Sequence, residues 1–295
     1  QGAQVTITGR RADVLEAQAG NGLFALPMDV SDEASVVDGI AAAVEARGPV
    51  QICVANAGVA EGRALHKSSL EEWRFMMGIN VDGAFLTIRE SLKSMVTTDW
   101  GRVIGVSSIA GLRGLKGAPC YSASKHALNG MIKALSADYA KTPYTFNSLC
   151  PAYVDTDIIS RNVESISKRA GVSEEEARHM MVGVNPHGRL VTSEEVAEAA
   201  MFLCGANSGS MNGQTIQISG GDGGTGGDAN RHALHRRQFA GGIEGGFIAD
   251  GQNFINDRPV EDIGRETRTN ALNLVRAGVA AGKHGAVFGF HRNEF

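Results

Sequence analysis

A doubly wound α/β chain, with a parallel sheet covered by helices on both faces, is predicted by two features of the sequence. Short β-branched runs alternate with longer amphipathic stretches, the order that builds β-α-β crossovers. The runs are also almost continuously apolar, as strands must be when both faces of their sheet are buried. In chain order QVTIT (4–8), FALPM (24–28), VQICVA (50–55), RVIGVSS (102–108), TFNSLC (145–150) and QTIQIS (214–219) read as strands. Leu128, Met131, Ile132, Leu135 and Tyr139 follow the 3.6-residue period of a helix. TSEEVAEAAMFLC carries a helix start, with Thr192 as N-cap and Glu195 three residues on as its reciprocal partner.

After ISGGDGG the composition changes. GGDGGTGG (220–227) reads as a flexible linker. Beyond it come a basic patch, RHALHRR (231–237), a helical stretch, TRTNALNLVRAGVAAG (267–282), and a short apolar run, HGAVFGF (284–290). The expected organisation is one α/β domain over 1–219, a linker over 220–227 and a tail over 228–295, with no internal repeat.

Hydrophobic residues make up 43% of the chain, enough for a sizeable core. A net charge of −4 gives no electrostatic reason to expect nucleic acid or an anionic membrane as partner. No apolar run approaches the ~20 residues of a membrane span, and the opening QGAQVTITGRR lacks the apolar core of a signal peptide. The four cysteines stand far apart without metal-ligand spacing, as expected of reduced, buried thiols in a cytoplasmic protein.

The candidate chemistry begins in YSASKHALNG (121–130). Tyr121 and Lys125 are four residues apart and share a helix face. A phenol titrates near ~10 in water, and a fixed ammonium nearby can lower that by about 1–3 units, suiting it to acid–base work on an alcohol or ketone. Thirteen residues earlier, IGVSSIAG ends a strand at Ser107 and Ser108, where an α/β sheet places functional groups. VANAG (54–58) ends the preceding strand, and GIN (78–80) lies in a helical stretch.

These four motifs, in this order, resemble the short-chain dehydrogenase/reductase family over about residues 1–224. The resemblance implies a Rossmann-like fold and a hydride-transferring enzyme acting on a carbonyl or secondary alcohol. Tyr121 would be the acid or base. Ser108 would bind the same substrate oxygen. Lys125 would lower the phenol pKa and hold the nicotinamide ribose, and Asn80 would support a water joining Lys125 to solvent. Cofactor contacts would come from Asn56, Ala57 and Gly58 beside the adenosine ribose, and from Asp29 and Val30 at the adenine edge. In CPAYVDTD, Pro151, Val154 and Thr156 would lie at the carboxamide, with Ala152 replacing the family's usual glycine. Each residue also has a purely structural alternative, such as Ser108 ending a strand or Asn80 satisfying backbone at a kink. The first strand ends in Arg10 and Arg11 with no carboxylate, which favours NADP over NAD, Arg10 being the preferred contact.

One motif of the family is missing: no TGxxxGxG occurs anywhere in the sequence. The opening residues match the family's second strand, so the expectation is an N-terminally truncated domain lacking its usual first strand and pyrophosphate cradle, with weak cofactor binding. That strand is central, and its loss would leave strands 4–8 and 50–55 with unpaired backbone groups. Residues 245–250 and 284–290 are the uncommitted strand-like segments, and 285–290 is expected to pair with one or both neighbours.

The apolar stretch 154–192 (Ile158, Ile159, Ile166, Met180, Met181, Val184) reads as a substrate lid, suited to an acyl or cyclic aliphatic ketone such as a 3-oxoacyl thioester, or else as plain packing. The family also implies a homo-oligomer, a tetramer joined through helices at 68–97 and 120–141 and through QTIQISGG. Two competing readings are a non-catalytic Rossmann-like remnant serving oligomerisation and a hydrolase. The hydrolase is disfavoured because no GxSxG elbow surrounds Ser108.

Overall fold

The computed structural model describes residues 3–20, 22–156, 159, 163–164, 166–168, 171–222 and 285–289, the last as backbone alone. The expected helix at 267–282, the basic patch at 231–237, the segment at 245–250 and Ile158 lie outside the described residues. Seven strands form one sheet: β1 (Gln4–Gly9), β2 (Leu23–Pro27), β3 (Val50–Ala55), β4 (Gly101–Val106), β5 (Tyr144–Pro151), β6 (Thr215–Ile218) and β7 (Gly285–Gly289), in the order β2-β1-β7-β3-β4-β5-β6. Every pairing is parallel, so all seven strands end at the same edge.

The sheet is wound on both faces because its strands alternate between two cores. Cys53, Ala55, Val103 and Phe146 point to one side, where α2 (Glu33–Arg47), α3 (Leu70–Met77), α4 (Gly83–Met95) and α5 (Pro119–Asp138) add Val36, Ile40, Met76, Ile88, Leu128 and Ile132. Ile52, Val54, Ile104 and Leu149 point to the other, against Leu15 of α1 (Ala12–Glu16) and Val196, Ala200 and Leu203 of the last helix (Ser193–Cys204). Each Val, Leu, Ile, Met or Phe among them contributes about 1.5–3 kcal/mol when fully buried. The predicted cap of the last helix is present: Thr192 Oγ1 accepts from Glu195 N, and Thr192 N donates to the Glu195 carboxylate. All four cysteines are free and buried.

The central slot is occupied. β7, from the tail, lies between β1 and β3, with Val287 opposite Thr6 on one side and Cys53 on the other. The sheet therefore has a central strand at the position the sequence reading left without one, and the tail segment pairs with both neighbours. The chain also remains anchored past the last edge strand. Ser219 and Asp222 exchange hydrogen bonds, and the Asp222 carboxylate takes Arg113 Nη2 at 2.5 Å and Nε at 3.2 Å.

The helical stretch expected over 68–97 is interrupted. Between α3 and α4 the turn Gly78–Asp82 widens to a π-helix, a local departure that recurs at functional sites. It carries Asn80.

Candidate active site

The end of β4 and the first turns of α5 bring the sequence-predicted residues together at the C-terminal edge of the sheet. Pro119 opens α5, where the missing N–H costs nothing, and puts Tyr121 and Lys125 on the turns facing the strand ends. Ser108 caps the short 3-10 turn Ile109–Gly111, its Oγ accepting from Ala110 N at 3.1 Å, and the same side chain lies close enough to the Tyr121 phenol to lower its pKa. Lys125, only 4% exposed, donates from Nζ to the Val106 carbonyl at 3.0 Å and lies 5.9 Å from the Tyr121 ring centre.

Asn80 is fully buried and ties two elements. Its Oδ1 accepts from Val59 N at 2.7 Å, and its Nδ2 donates to Val59 O at 2.9 Å and to Ser124 Oγ at 3.0 Å. Ser124 in turn donates to Tyr121 O at 2.8 Å. The side chain thus satisfies backbone and α5 groups at the helix interruption. Gly58 sits between Asn80 and Lys125: a Cβ there would stand 3.2 Å from Asn80 Oδ1 and 3.3 Å from Lys125 Nζ.

Burial, more than Lys125, decides the electrostatics. Desolvation pushes the Tyr121 phenol above its usual value; the Ser108 side chain opposes this, while Tyr153 and Cys150 add to it. The groups that set the phenol's shift do not include Lys125, and the same burial draws Lys125 itself down to about 8. At neutral pH the phenol keeps its proton, the form that can protonate a carbonyl oxygen.

This cost of burial makes a testable statement. Unfolded, Lys125 holds its proton up to about 10.5; folded, only to about 8. Between those values the unfolded chain binds more protons, so stability rises with pH across the window, and below it the fold carries the full cost of a buried charge. Lys125→Met removes the charge. Whatever constant offset the lost Val106 bond adds, the Tm of the variant relative to the parent is expected to be highest below pH 8 and to fall as pH climbs towards 10.5. A difference that stays flat in calorimetry contradicts the buried-charge assignment.

Among the described residues the Val106 carbonyl takes one of the three N–H groups of Lys125. A buried ammonium with further donors, beside a glycine that lets a ligand approach, fits a ribose diol, so the residues present suit the nicotinamide half of a dinucleotide. Asn56, Ala57 and Gly58 follow β3 at the same edge, Pro151 ends β5, and Arg10 stands exposed just after β1. Thr156 is exposed, its Oγ1 donating to Val154 O at 3.4 Å, and Val154 bridges to Val191. Arg11 precedes α1 as its N-cap. The Asp29 carboxylate accepts from Ser31 N and Oγ at 2.9 and 2.7 Å, a local turn contact. Val30 is 5% exposed and packs so closely on Gly83 that no Cβ fits there, which makes its side chain part of the core.

Sequence reasoning missed several neighbours. Tyr153 lies close enough to Tyr121 and Arg113 to couple to both electrostatically. Asn185 holds it by accepting from Tyr153 N at 3.3 Å and donating to Tyr153 O at 3.0 Å. No local signal links Arg113 to Asp222 or Tyr153 to Asn185. In the expected lid, Ile159, Met181 and Leu190 bury one another with Val163 and Ala177, with Ile166 packed alongside, which favours the packing reading; Met180 is 57% exposed.

Known proteins resemble this chain in sequence and fold. The family model for enoyl-(acyl carrier protein) reductase matches residues 1–222. The acetoacetyl-CoA reductase of Rhizobium meliloti (strain 1021) is 33% identical over 211 residues, 72% of this chain and 83% of that protein. The D-beta-hydroxybutyrate dehydrogenase of Cupriavidus necator is 30% identical over 228 residues, 75% of this chain and 88% of that protein. Among solved structures, a variant of actinorhodin polyketide ketoreductase with NADPH aligns at a TM-score of 0.71 and 32% identity, covering 74% of this chain and 87% of that one. The chain belongs to the short-chain dehydrogenase/reductase family. By class it is an NAD(P)-dependent oxidoreductase acting between carbonyl and alcohol. Among the described residues, no helix is long and apolar enough to cross a membrane.

Proposed function

We propose that the chain reduces a 3-oxoacyl thioester, or a related aliphatic ketone, to its secondary alcohol with NADPH. The observation that carries this reading is the convergence of Ser108, Tyr121 and the buried Lys125 at the C-terminal edge of the sheet, with Lys125 Nζ held by the Val106 carbonyl at 3.0 Å. Both hydroxyls can meet one substrate oxygen: Ser108 donates to it as charge develops, and Tyr121 delivers the proton. Lys125 holds the ribose diol, and Asn80 fixes the NAG loop against α5 behind it. When bound, the nicotinamide supplies the hydride, which no side chain here can carry. The named relatives that handle acetoacetyl-CoA and D-β-hydroxybutyrate support the substrate class, and the NADPH of the ketoreductase structure supports the cofactor.

The reading includes a homotetramer in the cytoplasm. Phe85 on α4 and Phe202 on the last helix, 45% and 61% exposed, offer apolar contacts for such an assembly.

Loss of nicotinamide absorbance on mixing NADPH with a panel of 3-oxoacyl thioesters tests the proposal; saturable turnover is expected, and none with any member contradicts it. Cofactor choice rests on Arg10. Arg10→Ala is expected to lower kcat/KM about tenfold for NADPH, the loss of one charge-assisted contact, and to leave NADH unchanged. Equal losses with both cofactors contradict the 2′-phosphate role.

A further inference from the structure

We infer that Asn129 is a positioning residue, clamping the Ser108 turn to α5 so that the serine and tyrosine hydroxyls stay in register; this rests on the reaction proposed above. Asn129 lies two turns beyond Tyr121 and is 4% exposed. Its Nδ2 donates to the Gly111 carbonyl at 2.9 Å. Gly111 closes the 3-10 turn that Ser108 caps, and its own N–H returns to Ser108 O at 2.9 Å. One amide therefore connects the tyrosine helix to the far end of the serine turn.

A second tie runs parallel to it: Ser107 Oγ donates to Lys125 O at 3.2 Å. The two ties converge on Gly111. A Cβ at that position would stand 2.6 Å from Asn129 Nδ2, 2.7 Å from Lys125 O and 2.7 Å from Ser107 Oγ. Cys150 closes the remaining side, its Sγ standing 3.8 Å from Asn129 Nδ2 and 3.9 Å from Oδ1. The amide is confined between a carbonyl and a thiol, where it cannot turn away without stranding a buried donor.

Because the Ser108 side chain lowers the Tyr121 phenol against burial, a loosened turn raises it further. The groups facing that phenol are Ser108, Tyr153, Cys150 and Lys125, and none of them need be changed in the test. Asn129→Leu keeps the branched shape and removes the donor. Asn129→Asp keeps a donor while its carboxyl is protonated and loses it on ionisation.

The test has two readouts on the full chain. One is kcat and KM for NADPH-dependent reduction. The other is the ultraviolet titration of Tyr121, taken as the difference from a Tyr121→Phe background. For Asn129→Leu the expected result is a kcat about tenfold lower with KM within about twofold, as for loss of one buried hydrogen bond acting on the transition state, and a Tyr121 titration moved to higher pH. Asn129→Asp should match the parent at low pH and lose kcat relative to it as pH rises, which keeps the test open if the leucine variant does not fold. Unchanged kcat and unchanged titration overturn the positioning role. A parent that shows no turnover overturns the proposed reaction instead, and the titration still decides the role of Asn129.

Discussion

Tyr121→Phe is expected to reduce carbonyl turnover by about 10²–10⁴-fold, the range for loss of a general acid, while leaving the fold and its Tm essentially unchanged. Only the phenol oxygen is removed. Ser108 Oγ keeps the Ala110 N–H as a partner, and the ring still packs against the core under α5. The raised phenol pKa shows that the site disfavours the phenolate, so the oxygen removed is that of a neutral hydroxyl and no buried charge is left unpaired. Turnover within tenfold of the parent, in a protein of unchanged circular dichroism, removes Tyr121 from the proton-transfer role.

The second large effect is structural. Val287→Pro is expected to destabilise the protein by about 3 kcal/mol or more, since proline in the middle of a sheet removes a ladder donor and clashes with its neighbours. In a domain of this size that corresponds to a fall in Tm of roughly 6–12 °C. The strand sits between β1 and β3, so a disrupted β7 leaves two strands with buried, unpaired backbone. Turnover should fall with it, because β3 carries the NAG segment at its end. Ala64→Pro serves as control: Ala64 is exposed, with φ already at −65°, where proline is tolerated. An unchanged Tm for Val287→Pro contradicts the central placement of the tail strand.

Much of this was legible in the residues because strands buried on both faces leave a strong apolar signature. The six strands of the main domain fall within two residues of their predicted ends, and the Thr192–Glu195 capping box is formed as read. The place of residues 285–289 followed from a requirement of the sheet, that β1 and β3 need a partner, with no motif to announce it. A helix kink at Asn80 was among the alternatives the sequence offered, but the π geometry and the bounds of the interruption at Gly78–Asp82 were not legible, since a π turn has no compositional mark. Nor was the electrostatics of Tyr121 and Lys125. Their spacing places both on one face of a helix, but the depth of burial, which sets the direction of both pKa shifts, belongs to the packed structure. Arg113 and Asp222 meet across 109 residues, and Asn129 reaches Gly111 across 18, through contacts that only the folded chain makes.

The most direct test of the account is isotope transfer. NADPH carrying deuterium at its transferable position is incubated with the full chain and a 3-oxoacyl thioester, and the alcohol product is analysed by mass spectrometry. The account predicts one deuterium on the carbinol carbon, formed by the parent and suppressed in Tyr121→Phe. Absence of transfer to every ketone tried, together with no saturable NADPH binding, contradicts it and leaves a Rossmann-like scaffold without hydride chemistry.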